Sequence, residues 1–457
     1  MRNTHNESQT ALAGIETSRV SRLGLSLGVS LVALCATTTI SLAGGYAVRE
    51  QSASLLGSAF AGAAAGVDLS SAYWNPAAFG IAKSGISVES HYSVITAKTE
   101  LSNGVSDFQP LDPRRFEDST EIDKVGVLGS TYAAYRLNDK VVLGVSTGAP
   151  FGLATEPDNQ DWAGRYHGRA ADMITLNVSP TLAYEIAPGV QVAAGLQLQH
   201  MRLKLWTANP VDLAPMIPAP QLNSSNLKVN ISDDVGVGFT AGILLQPTES
   251  TSIGLGFRSK IEHELEGKSY FAGDLTSSNV KADLDTPEIV TLSIVQAITH
   301  DVRALGTIEW TNWSRLGVVG VSGLIAPLPG NPEVPAAVVG QWDDGWFFSA
   351  GLEYDYSPLL TLRGGVAYER SPIQEAEQRL LPLPDSDRVW LSAGATYKYS
   401  EHTTFDVGYS HVFFEDASLD RGLLANDDVR FTADVENSAN IFSVGMKSKL
   451  DWLLSGG

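Results

Sequence analysis

Residues 173–186, MITLNVSPTLAYEI, constrain the fold of this chain more than any other stretch. Ile174, Leu176, Val178, Leu182, Tyr184 and Ile186 fall on one set of alternate positions, and Thr175, Asn177, Ser179, Thr181 and Glu185 on the other. A period of two makes a strand with one apolar and one polar face. Soluble strands run to about five or six residues, whereas a strand tilted across a membrane needs about nine to eleven. Alternation sustained this long points to a membrane-spanning strand.

The same pattern recurs along the chain. Strands are expected near 85–98, 122–136, 140–149, 171–187, 190–206, 232–246, 251–265, 287–299, 301–316, 342–356, 359–370, 387–399, 402–414 and 436–449. Their connections alternate between tight turns, as at 137–139, 187–189, 299–301 and 357–359, and long segments at 99–121, 150–170, 207–231, 266–286, 317–341, 371–386 and 415–435. An even strand number with short turns at one rim and long loops at the other is the plan of an outer-membrane barrel. The fold expected is all-β: a fourteen-stranded antiparallel transmembrane β-barrel over 84–449, multi-pass in the Gram-negative outer membrane, followed by a tail at 450–457. Tyr132, Tyr135, Trp206, Trp310, Trp313, Trp390, Tyr397 and Tyr399 lie near strand ends, where interfacial girdles belong.

The segment before the barrel carries an address. Arg19 and Arg22 precede an apolar run that ends in small residues, with a cut expected after Ala43, so 1–43 reads as a signal peptide. Cys35, the only cysteine, lies inside it; its removal leaves neither disulfide nor thiol chemistry. The charge balance, 31 basic against 51 acidic residues for a net of −20, argues against nucleic-acid binding. An outer-membrane hydrolase would need a nucleophile with a positioned base. Ser410 with His411, and His91 with Ser93, are the nearest pairs, and no nucleophile elbow accompanies them. The eight histidines show no metal spacing. An enzyme, a cofactor and a metal are therefore not expected.

Fourteen strands enclose a hole that something must occupy, since about sixteen already leave an aqueous channel. Residues 44–83 are the spare material: rich in Gly, Ala and Ser, with a weak helical stripe over 51–64 that Gly62 and Gly66 break. Asn75-Pro76 favours a turn, because proline biases its predecessor away from helix. This segment reads as a small helical hatch that plugs the lumen, with Tyr73 and Trp74 as packing anchors.

Glu-Gln-Ser at 50–52, Gly-Ser-Ala-Phe-Ala-Gly at 57–62 and an aromatic before Asn75, Pro76 and Ala77 resemble the hatch of the FadL-type long-chain fatty acid and hydrophobic-compound transporters of Gram-negative outer membranes. The resemblance continues at 151–156 (FGLATE), 286–288 (TPE), 309–314 (EWTNWS), 362–372 (LRGGVAYERSP) and 383–397 (LPDSDRVWLSAGATY). It implies that the Asn-Pro-Ala region lies beside an inward kink in the third strand, which opens a gap for lateral release of substrate into the membrane. That kink maps to 146–156, with Gly148, Ala149, Pro150, Phe151 and Gly152 at the gap. A proline without a donor between two glycines would spoil a β-ladder there on physical grounds too, although an external loop could begin at the same place. The resemblance also implies an external hydrophobic groove, for which Leu213, Met216, Ile217 and Phe271 are candidates. Arg202 and Lys204, same-side neighbours expected in the lumen or at the rim, are candidates for a carboxylate headgroup. The expected cargo is a long-chain fatty acid, or an uncharged aromatic hydrocarbon by the same route, handled by a monomer in contact with outer-membrane lipid.

Overall fold

The computed structural model describes residues 44–83, 85–107, 117–208, 226–233, 235–271, 276–325, 333, 336–422 and 430–450. The expected signal peptide, most of the tail and the groove candidates Leu213, Met216 and Ile217 lie outside them. Fourteen antiparallel staves form a closed barrel. They are Gly85–Ser106, Thr120–Arg136, Val141–Gly148 continued by Gly152–Thr155, Ala170–Ala187 and Val190–Ala208. The sixth to eighth staves are Asn226–Ser232 with Gly236–Thr248, Thr251–Arg258 with Ile261–Phe271, and Thr276–Thr286 with Ile289–Ala297. Val302–Thr311 with Val318–Ser322, Ala336–Val339 with Gly345–Ser357, and Leu360–Arg370 follow. Arg388–Lys398, Thr403–Phe414 with Ala417–Gly422, and Arg430–Lys449 complete the wall. The last stave pairs with the first from Ser87↔Lys449 to Ser106↔Phe431, so no sheet edge is left at the closure.

The apolar set of each stave faces out. In the fourth stave Leu182 and Ile186 are 52% and 53% exposed, whereas Thr175 and Ser179 are 0% and 4%. Water cannot satisfy backbone groups in hydrocarbon, so a ring of strands that bonds itself and offers lipid its greasy face is one of few stable solutions. Tyr135, Tyr397 and Tyr399 are exposed on the wall. Tyr132, Trp313 and Trp390 instead point inward and are buried, which corrects their assignment to a girdle. Several staves also run past their expected ends, into segments read as loops. The first reaches Ser106, the seventh Phe271, and the last begins at Arg430.

The hatch fills the lumen below the long-loop rim. Ser52 caps a single turn of helix, Ala53–Leu56, its hydroxyl accepting from the Leu55 N–H. The helix is shorter than the stripe over 51–64 implies because the wall presses on it. A Cβ on Gly57 would sit 2.8 Å from Gly394 Cα, and one on Gly365 would sit 2.1 Å from the Ser58 carbonyl. Ala59 and Phe60 then take left-handed φ values of 52° and 60°. Phe60 packs in a cluster with Trp74, Phe347 and Trp390, at centroid distances of 5.7, 6.4 and 5.9 Å. Asp68 ties the hatch to the last stave, 2.7 Å from Lys447 Nζ. Burial alone would raise its carboxyl, but Lys447, His91 and the Ser54 hydroxyl hold it well below the usual range.

Candidate functional site

The wall is incomplete between the second and third staves. The first stave pairs with the second from Gly85↔Arg136 to Leu101↔Thr120. The third pairs with the second only from Val142↔Arg136 to Thr147↔Thr131. Residues 120–130 of the second stave therefore have a ladder on one side alone. The third stave stays with the fourth throughout, from Val141↔Tyr184 to Gly148↔Asn177 and again from Gly152↔Ile174 to Thr155↔Ala171. Between these ladders three residues, 149–151, stand against two, 175 and 176, which makes a bulge and bends the bulged strand. Thr175 holds the bend: its hydroxyl accepts from the Phe151 N–H at 2.9 Å and donates to the Phe151 carbonyl at 2.6 Å. Pro150 has no N–H to return to the second stave.

What the kink loses from the wall it regains from the hatch. Val48 N donates to the Pro150 carbonyl at 2.8 Å, and Gly152 N donates to the Tyr46 carbonyl at 2.9 Å, around a bridge between Ala47 and Phe151. Gln51 Nε2 donates to the Ala149 carbonyl at 2.9 Å. The Gln51 carbonyl in turn accepts from Ser130 and Tyr132 of the second stave at 2.7 and 3.1 Å. Val48, Leu128 and Ala149 pack together, all almost fully buried, across the lumenal side of the gap. On the rim side, Asp158 N donates to the Glu121 carbonyl at 2.8 Å, and Lys124 meets Glu156 at 3.1 Å. The gap is thus a framed opening closed by Tyr46–Gln51.

In the Asn-Pro-Ala motif, Asn75 caps the short helix Pro76–Ile81 by accepting from Ala77 N at 3.0 Å, and its amide donates to the Ala64 and Ile243 carbonyls at 2.8 and 3.0 Å. It therefore rests on the sixth stave, where a Cβ on Gly242 would overlap its side-chain oxygen. The helix that Asn75 caps also packs on the third stave just before the kink, Ala77 and Phe79 sharing a buried cluster with Val142 and Phe79 lying against Gly144, while Tyr73 lines a small space beneath Gly148 and Pro150. The hatch residues at the gap, Tyr46, Val48 and Gln51, went unassigned in the sequence, although Gln51 belongs to the Glu-Gln-Ser run that carries the resemblance.

Above the hatch, apolar side chains of the kink and of many staves form one continuous cluster. It runs from Phe271, Val229 and Leu324 near the rim to Tyr46, Phe151 and Leu153 at the kink. Phe271 therefore faces inward, as part of the lumenal cluster. Trp313 packs edge-on to both Tyr46 and Trp342, with Tyr46–Trp313 centroids 4.7 Å apart. Beside the gap lies a cavity of about 60 Å³. Its lining combines Ile122, Leu153, Leu383 and Phe414 with Lys98, Lys124, Asp385 and Arg388. Arg388 is buried against Asp385, and Arg49 spans Glu309 and Glu369 at 2.7 and 3.3 Å. Burial pushes the Asp385 carboxyl up, with the adjacent Arg388 opposing it.

Arg202 and Lys204 do not reach this chamber. Met201, Leu203 and Leu205 of the fifth stave point into the cluster, which turns Arg202 and Lys204 outward with Leu196 and Leu198. Arg202 pairs with Asp172 at 3.1 Å. The parity of Leu196 and Leu198, lipid-facing by their apolar character, was the signal that places both cations on the outer face.

Residues 33–449 match the family model described as "Outer membrane protein transport protein (OMPP1/FadL/TodX)". The long-chain fatty acid transport protein of Escherichia coli is 25% identical over 63% of this chain and 69% of its own length. A FadL homologue from Pseudomonas aeruginosa superposes with a TM-score of 0.78 at 20% identity, covering 88% of this chain and 99% of its own. The toluene transporter TodX of P. putida gives 0.66 at 15% identity, with 89% and 99% covered. The protein belongs to the OMPP1/FadL/TodX family and is a transporter of hydrophobic compounds in the Gram-negative outer membrane, not an enzyme.

Proposed function

We propose that the protein takes up long-chain fatty acids, holds them in the apolar chamber and releases them sideways through the gap between the second and third staves. The observation that carries this reading is an amphipathic cavity beside a stretch of wall with a ladder on one side only. Apolar walls suit the acyl chain, and Lys124, whose partner Glu156 is exposed, can turn to the carboxylate, whereas Arg388 is held by Asp385 and Arg202 and Lys204 lie on the outer face. At about 0.8 kcal/mol per buried CH₂, a sixteen-carbon chain gains on the order of 12 kcal/mol on burial, before ordering costs. An exit into lipid offers the same burial, so release needs no energy source. The cavity is far smaller than such a chain, so loading requires lining side chains such as Leu153, Leu383 or Phe414 to move. Groove residues Leu213, Met216 and Ile217 would capture the substrate at the rim, and the chain would act as a monomer.

Residues 1–43 would leave on export. The new amino terminus, Gly44, would then lie with its nitrogen 2.8 Å from Glu369 Oε1, an ammonium on a buried carboxylate. The mass of the protein purified from membranes tests the cut.

A second reading, uncharged aromatic hydrocarbons, draws support from the Tyr46, Phe151, Trp313 and Trp342 cluster and from the name of one structural neighbour. Binding of oleate and toluene to wild type and Lys124→Gln separates the two. The fatty acid reading expects oleate affinity to fall by about tenfold or more in the variant, the value of a charge-assisted bond, with toluene unaffected. Toluene binding by a wild type that ignores oleate would select the second reading.

A further inference from the structure

We propose that the outer face of the fifth to seventh staves, at the long-loop rim, binds the phosphate groups of a phosphorylated glycolipid in the outer leaflet. The register builds the site. Lys204 lies across from Asp172 on the fourth stave and Asn230 on the sixth, and Asn230 lies across from Lys268 on the seventh. One step toward the rim, Trp206 faces Lys228, and Lys228 faces Tyr270. One step toward the membrane, Arg202 faces Ser232, and Ser232 faces Glu266. All these side chains point outward, because Met201, Leu203, Val229, Ile231, Leu265 and Phe271 between them point into the lumenal cluster. With strands about 4.8 Å apart, Lys204 and Lys268 flank Asn230 at a backbone separation of about 10 Å.

Charge sets this patch apart on a chain that carries −20. Elsewhere near the rim, many of the described cations are matched by carboxylates: Lys98 by Glu100 and Glu121, Lys260 by Glu262 and Asp285, Arg315 by Glu288, Arg370 by Asp343 and Arg430 by Asp420. Within the patch the two acids, Asp172 and Glu266, are matched to Arg202 and Lys281. Lys204, Lys228 and Lys268 have no carboxylate within ion-pair distance among the described residues. Lys228 lies 5.1 Å over the Trp206 ring, an arrangement that suits an interface between lipid and water. Three such ammonium groups near a planar guanidinium form a phosphate site.

The surface just below selects a lipid over a free anion. Leu196, Leu198, Val237 and Phe239 of the same staves are exposed on the wall. One ligand with phosphates above and acyl chains below satisfies both layers.

Native mass spectrometry of the detergent-purified protein tests the site, with diphosphoryl lipid A as probe and fully dephosphorylated lipid A as control. Wild type is expected to retain the diphosphoryl form. The Lys204→Gln/Lys228→Gln/Lys268→Gln variant is expected to lose at least about tenfold in affinity, while Arg370→Gln, whose guanidinium pairs with Asp343 outside the patch, keeps it. Heat-shifted gel mobility establishes that each variant is folded. Equal retention by the triple variant, or equal binding of the dephosphorylated lipid, overturns the proposal. Displacement of lipid A by millimolar inorganic phosphate overturns its lipid part and leaves an anion site.

Discussion

Gly256 leaves no room for a methyl group: a Cβ there would stand 1.8 Å from the Trp74 carbonyl oxygen, and both atoms belong to backbone that is fixed on two sides. Gly256→Ala is expected to unseat this part of the hatch at a cost of about 1–3 kcal/mol. It should lower the temperature at which the folded band disappears on a gel. Gly364→Ala, whose new methyl would meet only the Ser392 carbonyl at 3.9 Å, should leave that temperature unchanged. Glu50 gives a pH signature. Its carboxylate has no side-chain hydrogen-bond partner among the described residues, and burial pushes its pKa up to about 7. An acid whose folded pKa is raised holds its proton better when folded, so stability falls as pH rises from about 4.5 toward 7, by up to about 3 kcal/mol. Glu50→Gln should flatten that fall in a thermal melt taken across the range; an unchanged slope would exclude Glu50 as its source. Residue roles were the least legible part of the sequence. Gln51 and Val48 act through backbone groups 98 and more positions away, as in the Gln51–Ala149 bond, and no local pattern encodes such a meeting.

The third stave shows what an element can and cannot announce. Gly148, Pro150 and Gly152 marked a break in the ladder, because their effects on φ and on donors are local. That the break turns toward Tyr46–Gln51 depends on a partner strand supplied by the hatch. Gln51→Ala removes the donor to Ala149 while leaving the Gln51 carbonyl in place. It is expected to loosen the seal and admit small solutes, raising single-channel conductance in planar bilayers; a variant as tight as wild type would mean the seal rests on Val48, Leu128 and Ala149 alone. Stave cores were legible for a similar reason. Lipid demands alternation, as in 173–186, whereas the seventh stave above Leu265 is polar outside and needs no such pattern.

At the scale of the whole molecule, the fourteen staves, the hatch and the lumenal cluster are parts of one device. Alternation and the rhythm of turns and loops predict a barrel of this size, and the small-residue segment predicts its plug. The chamber was not legible, because residues from many staves with no common motif assemble it. The central claim is that substrate leaves through the wall. Leu128 and Ala149 share one buried cluster with Val48 across the gap, and the only cysteine, Cys35, lies in the expected signal peptide. Leu128→Cys/Ala149→Cys, joined by a short cross-linker that reductant cleaves, ties the second stave to the kink. Uptake of labelled oleate by cells lacking their own transporter is the deciding measurement. Lateral release predicts that the cross-linked protein still binds oleate, that uptake drops to the level of cells without it, and that reductant restores uptake. Uptake by the cross-linked protein at the rate of the same protein without the cross-link would contradict it.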